Sequence, residues 1–251
     1  MKFKNTSVWG FEHALRGMRN PMNSWSKSDS LFGYCQCSNC GHNHLCDKCI
    51  NSDENNYAIE APIIGENDMQ LAKKLIKAGT EHRKFMRQIF VSVDITAPLY
   101  WWKEYDTYKV GTVANSTSTM HKLTSAPITL NCFETDDYSD LKHDDIKFSN
   151  YHIEIIKLLL RDLEGLRQKY LETKDKRYWK ELVRWLPESW LQTRTVTLNY
   201  ENLLAICSKG QRRFHKLNEW SGQDNSELPN FISWARTLPY AQELLFIDET
   251  E

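Results

Sequence analysis

Residues 89–98 read IFVSVDITAP, an alternation of apolar and polar side chains that ends in proline. From Ile89 to Ile95 every second residue is Ile or Val, the period of a strand with one buried face. Pro98 stands where the first turn of a helix tolerates proline. The chain is therefore expected to pass from sheet to helix at this point. The next stretch, PLYWWKEYDTYKVGTVANSTSTMH from Pro98 to His121, is an aromatic, helix-like run that gives way to small hydroxyl and amide residues. Such residues offer short donors and acceptors that can approach a phosphate or a flat ring closely. A plainer reading of residues 112–119 is a helix end whose hydroxyls serve the local backbone.

Helical periodicity is stronger elsewhere. A helix is expected around residues 10–18, and another from Asn67, capped by Asn67 or Asp68, with Leu71, Leu75, Ile76, Phe85 and Met86 recurring at helical spacing. Ile156, Leu159, Leu163, Leu166 and Tyr170 share one face of a long amphipathic helix. Residues 178–185 form a shorter one before Pro187, and Asn199 opens another that runs through Cys207. Residues 231–246 favour helix but contain Pro239. Residues 131–147 read as an acidic surface loop. The sum is an α+β chain, rich in helix, with few strands.

At 251 residues the chain suits one large domain, or one domain with a small insert. Its 32 basic and 33 acidic residues leave a formal charge of −1, so no global field holds a polyanion. General nucleic-acid binding is not expected. No run approaches the roughly 18 apolar residues of a spanning helix. The first residues also lack an apolar core of signal-peptide length. The expectation is a soluble, cytoplasmic protein without a membrane partner.

Five of the seven cysteines cluster as Cys35, Cys37, Cys40, Cys46 and Cys49. Two C-x2-C pairs can place four thiolates, Cys37, Cys40, Cys46 and Cys49, around a structural zinc. Cys35, His42 and His44 are substitute ligands, an iron–sulfur cluster is the second reading, and free thiols are the third. A four-cysteine zinc has no open position and would staple a loop rather than catalyse. The segments read as 1–34, an N-terminal helix and polar stretch; 35–58, a cysteine-rich zinc loop; and 59–251, the α+β body.

From Leu186 the chain reads LPESWLQTRTVTLNYENLL. This resembles the C-terminal part of flavin-dependent thymidylate synthases (ThyX), with Leu186, Pro187, Thr197, Asn199 and Leu203 falling in the family's pattern. Pro98–His121 resembles the region of that family's signature, RHRxxSxNxxSxRY, although Thr107, Tyr108 and Lys109 replace its Arg-His-Arg. Thr119 and Met120 likewise replace its final Arg-Tyr. The resemblance implies a small central, mostly antiparallel sheet and a homotetramer. It also implies FAD and dUMP as ligands, with methylene-tetrahydrofolate as carbon donor and C5 of dUMP as acceptor.

By position, the resemblance assigns Tyr108, Lys109, Thr112 and Asn199 to the flavin. Thr117 falls at the residue linked to the nucleotide base, with Ser118 beside it, and the resemblance makes these two the catalytic pair; Glu104 falls at a nucleotide contact, and Arg212 or Arg213 near the family's dUMP-binding arginine. His215 and Glu219 resemble the His and Glu of the same downstream helix. Lys109 offers a point charge where an arginine fork would grip phosphate bidentately. Plainer readings stand beside these. Trp101 and Trp102 pack a core, Asn199 caps a helix, and Arg212 and Arg213 form a solvated basic face. His82, His121 and His215 are surface or capping histidines.

Overall fold

The computed structural model describes residues 1–32, 62–135, 146–224 and 226–249. The cysteine cluster, including Cys37, Cys40, Cys46 and Cys49, lies outside them. In chain order the elements are β1 (Lys2–Trp9), α1 (Phe11–Arg19), α2 (Glu66–Lys77), β2 (Phe90–Pro98), α3 (Leu99–Tyr105), β3 (Val113–Ser116) and α4 (Thr119–Lys122). They continue with α5 (Ile146–Thr173), α6 (Lys176–Arg184), β4 (Leu191–Asn199), α7 (Tyr200–Cys207), α8 (Asn218–Ser221), α9 (Phe231–Arg236) and α10 (Ala241–Leu244). The architecture is helix-rich α+β, with a four-stranded antiparallel sheet in the order β1-β2-β4-β3. No helix among the described residues is long and apolar enough to cross a membrane.

The alternation of residues 89–95 places Val91, Val93 and Ile95 on a fully buried face of β2. On β4, Val196 and Leu198 are buried in the same register. Pro98 closes β2 and supplies the N-cap position of α3. Trp101, Trp102 and Tyr105 of that helix are buried, with rings 4.9–5.4 Å apart. They are core, in keeping with the plainer reading.

Chain contacts divide the molecule into two compact units. The larger comprises Lys2–Ile95, Tyr108–Ala114 and Thr195–Glu251. Its core is aromatic: Phe11 meets Tyr200 edge-on at 5.5 Å, and Trp220 packs on Phe231 at 5.2 Å. The Tyr200 hydroxyl donates to the Pro239 carbonyl at 2.6 Å, and burial holds this phenol above its ordinary pKa. Gly10 joins β1 to α1 at φ +95°, where any side chain would collide with the Gln88 carbonyl.

The start of α2 differs from expectation. Neither Asn67 nor Asp68 caps it; Asp29 does, accepting from the N–H groups of Asn67 (2.9 Å) and Asp68 (3.1 Å). Asp68 is instead fully buried, and accepts from Arg19 Nε (2.5 Å), Ser28 Oγ (2.6 Å) and Ser30 Oγ (2.6 Å). Burial works against its charged form, but these donors outweigh it and hold the carboxyl below its usual pKa. The helix stops at Lys77, so Phe85 and Met86 are buried from a separate 3-10 stretch, Arg83–Gln88.

The smaller unit comprises Thr96–Thr107 and Asn115–Arg194, together with Met1. Here α5 and α6 pack around Leu123, Ile128, Phe133, Leu163 and Leu182. On α5, Glu164 accepts from the Ile128 N–H at 2.8 Å and from both Nε and Nη2 of Arg167. The Arg167 bond, opposed by burial and aided by Ile128 and Gln168, brings its pKa down to about 2. Arg167 also donates to the Thr124 carbonyl, tying that loop to the helix.

Residues 113–116 are a strand and not a helix end. The Thr117 N–H donates to the Thr193 carbonyl of β4 at 2.8 Å, so the backbone continues a ladder where a helix would have turned inward. The C-terminal stretch also departs from one continuous helix. It breaks between Arg236 and Ala241 at Pro239, with Tyr240 in the left-handed region at φ 53°.

Candidate functional site

The hydroxyl-rich tract is divided between the two units. In the larger unit, Tyr108–Thr112 forms a tight turn: the N–H and Oγ1 of Thr112 both donate to the Lys109 carbonyl at 3.0 Å. Gly111 supplies the positive φ of +78° that the turn requires. Asn202 Nδ2 donates to the Val110 carbonyl at 2.8 Å, fastening the turn to the first turn of α7.

Asn199 caps α7 in a reciprocal box. Its Oδ1 accepts from the Asn202 N–H at 3.0 Å, and Asn202 Oδ1 accepts from the Asn199 N–H at 3.2 Å. The two N–H donors of Asn199 Nδ2 make no bond among the described residues, and this nitrogen lies 3.8 Å from where a Cβ on Gly111 would stand. Asn199 is thus both a cap and a presented amide.

Beside the turn, the Arg212 guanidinium lies 5.3 Å from the Tyr108 ring and 5.2 Å from the Trp220 ring. Tyr108 also donates its hydroxyl to Gln211 Oε1 at 3.1 Å. Lys109 is exposed and brings the turn's positive charge. Arg213 points elsewhere. It is buried, and donates to the Cys207 carbonyl (2.8 Å) and Asp248 (2.7 Å), with Glu249 at 3.3 Å. This guanidinium closes the C-terminal segment onto α7, so it forms no solvated basic face with Arg212. Burial pushes the neighbouring Cys207 thiol up to about 12, against the pull of Arg213 and Arg236, which removes it as a nucleophile. His215 Nδ1 accepts from the Leu217 N–H at 3.1 Å, a local turn role.

In the smaller unit, Thr117 and Ser118 differ from Thr112 in one chemical respect. Thr112 spends its hydroxyl proton on the Lys109 carbonyl, as Thr107 does on that of Glu104. Thr117 Oγ1 instead accepts from the Thr193 N–H (3.3 Å), and Ser118 Oγ accepts from the His121 N–H (3.0 Å) as the N-cap of α4. A hydroxyl that accepts from the backbone keeps its own proton to donate. Glu104 lies half-buried on α3 of the same unit.

Sequence reasoning missed Gln192 and Arg194 of β4. Gln192 Nε2 donates to the Thr117 carbonyl at 3.0 Å, and its Oε1 accepts from Arg194 Nε at 3.0 Å. Arg194 lies over Trp102, its Cζ 4.3 Å from the ring centroid, and donates through Nη1 to Asp106 at 2.9 Å. The only hint in the sequence was an arginine inside an otherwise Thr-rich strand. Among the described residues no group of His, Cys, Asp and Glu suits a metal ion.

No protein-family model matches the chain, and no curated protein matches it in sequence. Solved structures do. The flavin-dependent thymidylate synthase ThyX of Helicobacter pylori, complexed with FAD and dUMP, aligns over 99% of both chains with a TM-score of 0.60 at 16% identity. A second structure of Thymidylate Synthase X from that organism, with FAD and dUMP, aligns over 99% of this chain and 98% of its own, with a TM-score of 0.57 at 14% identity. The chain has the ThyX fold. On this fold, the segment from Leu186 forms β4, the Asn199 cap and α7, while the tract from Pro98 forms α3, the Gly111 turn and β3.

Proposed function

We propose that the chain is a divergent ThyX-like enzyme that binds dUMP and adds one carbon at C5 of its pyrimidine. The observation that carries this reading is Asn199. Within a ThyX fold it caps α7 through Oδ1 and presents an uncommitted amide beside the Gly111 turn.

The donor set of the larger unit fits the flat part of a flavin. The Asn199 amide is a pair of hydrogen-bond donors for a ring carbonyl, and the Tyr108 ring is held rigidly by Arg212 and Gln211. Lys109 is the cation of the turn, so charge on a phosphate would meet an ammonium and not a fork. Tyr108, Lys109, Thr112 and Asn199 are therefore the residues that would hold FAD, with Thr112 keeping the turn in shape through its two bonds to the Lys109 carbonyl. When bound and reduced, the flavin supplies hydride, and methylene-tetrahydrofolate supplies the carbon.

The chain's own share is binding, orientation and exclusion of water. In the smaller unit, the spare protons of Thr117 and Ser118 can donate to a pyrimidine carbonyl or a phosphate oxygen, and Glu104 can accept from a sugar hydroxyl. In the larger unit, Arg212 remains the arginine assigned to substrate; Arg213 is withdrawn from that role by its carboxylate partners. The family resemblance extends to a homotetramer, which light scattering of the purified protein measures.

Reconstitution with FAD tests the reading directly. The expected result is a flavin absorption band that shifts on adding dUMP, and growth of a thymidine-requiring strain carrying the gene. Protein that stays colourless and binds no dUMP would sink it. The withdrawal of Arg213 favours a second reading, a ThyX-fold protein that binds the nucleotide without turning it over. Binding without complementation would select that one.

A further inference from the structure

Arg194 is an unusual charge in the smaller unit. A guanidinium on a strand ordinarily extends into water, yet this one is only 17% exposed. Three contacts fix it: the Trp102 face, Gln192 Oε1 on Nε, and Asp106 on Nη1. Its Nη2 donates to nothing among the described residues and still meets solvent. The Trp102 face and two tethers remove the rotamer freedom that an arginine otherwise loses when it grips an anion. The free edge is thus a preorganised pair of N–H donors.

The same Gln192 amide that holds Arg194 also holds the Thr117 carbonyl. Thr117 and its neighbour Ser118 are the tract hydroxyls that accept from backbone N–H groups and keep their protons. Linked through Gln192, one guanidinium edge and two hydroxyl protons are all donors, a set that suits an anion with several acceptor oxygens. A phosphate monoester has that chemistry. The tract itself carries Thr107, Tyr108 and Lys109 in place of an arginine fork, so β4 supplies the guanidinium that the tract lacks.

We propose that Arg194, with Thr117 and Ser118, binds a phosphate group: the 5′-monoester of the nucleotide or the ribityl phosphate of the flavin chain, for which FMN is the probe. The assignment rests on the proposed ThyX-like function. Asp106, 50% exposed, is the built-in competitor, because it neutralises the guanidinium from the Nη1 side.

The test compares ligand pairs that differ only in phosphate: dUMP against deoxyuridine by calorimetry, and FMN against riboflavin by flavin fluorescence. The wild-type protein is expected to prefer the phosphorylated member of one pair. Arg194→Gln is expected to weaken that member about tenfold or more, with its dephosphorylated partner unchanged. Arg194→Lys should recover part of the loss. Asp106→Asn should tighten the phosphorylated ligand about two- to fivefold, and it decides the matter if Arg194→Gln fails to fold.

A loss confined to dUMP assigns the nucleotide phosphate, and one confined to FMN assigns the flavin phosphate; either supports the proposal. Unchanged phosphate preference in Arg194→Gln, or no tightening in Asp106→Asn, overturns it while leaving the functional reading intact. A wild-type protein that binds none of the four ligands sinks the functional reading, and the phosphate assignment with it.

Discussion

Arg19–Asp68 and Arg194–Asp106 are the same ion pair in different surroundings. The first is closed: Arg19 is 4% exposed and Asp68 0%, with Ser28 and Ser30 completing the carboxylate's shell. The second is open, since half of Asp106 and one edge of Arg194 face solvent. In the closed pair almost every hydrogen-bonding direction of the carboxylate is spent inside the protein. In the open pair one direction is left over. A closed pair specifies a structure, and breaking it strands a buried charge. An open pair costs little to form and leaves a donor for something else.

The closed pair should give the largest effect. Asp68→Ala is expected to lower unfolding free energy by about 3–5 kcal/mol in urea denaturation, because Arg19 stays buried without its partner. Replacing both residues together, Arg19→Met with Asp68→Leu, should recover much of that loss. A single substitution costing under about 1 kcal/mol would show that Asp68 is solvated in solution.

Acid sharpens the same contrast. The pKa of Asp68 is lower folded than unfolded, so the unfolded chain binds the proton more readily. Its stabilisation is complete above the unfolded value, about 3.9, and disappears as pH falls through the lower folded value. Glu164 acts likewise, from the unfolded carboxylate value down to about 2. Wild-type stability should therefore fall below about pH 4, and the fall should be shallower in Asp68→Asn and Glu164→Gln. Circular dichroism melts across that range measure it.

Asn199→Ala removes a cap and should cost about 1 kcal/mol in the same denaturation experiment. It should also abolish the flavin band if the presented amide holds the ring; Asn199→Asp should keep the cap and lose only the flavin. The open pair gives the smallest change. Asp106→Ala is expected to cost about 0.2–1 kcal/mol. A cost near that of Asp68→Ala would erase the distinction between the two pairs.

What could be read in the sequence was periodic or local. The 89–95 alternation became β2, the 156–170 stripe became α5, and Asn199 became the cap of α7. Trp101 and Trp102 entered the core because an apolar helix face must be covered. The rest depended on residues far apart in the chain. Asp29 caps α2 from 38 residues away, so no local signal marks it. β1 carries no clear strand signal because Asn5, at φ 55°, opens a polar run through Ser7 that interrupts its alternation. Residues 113–116 became a strand because β4 offered a ladder partner, which short polar residues do not advertise. The two arginines after Gly210 separate only in three dimensions, one among rings and the other among carboxylates. Arg194 shows in the sequence only as an arginine in a Thr-rich strand, because its significance lies in Trp102, Asp106 and Gln192.

Asn202 serves two masters with one side chain: Oδ1 completes the start of α7, and Nδ2 holds the Val110 carbonyl in the Gly111 turn. Fraying of the helix and opening of the turn are consequently a single event. The amides of both should exchange with solvent at one shared rate, so the breathing of a helix end sets how often the mouth of the turn is open.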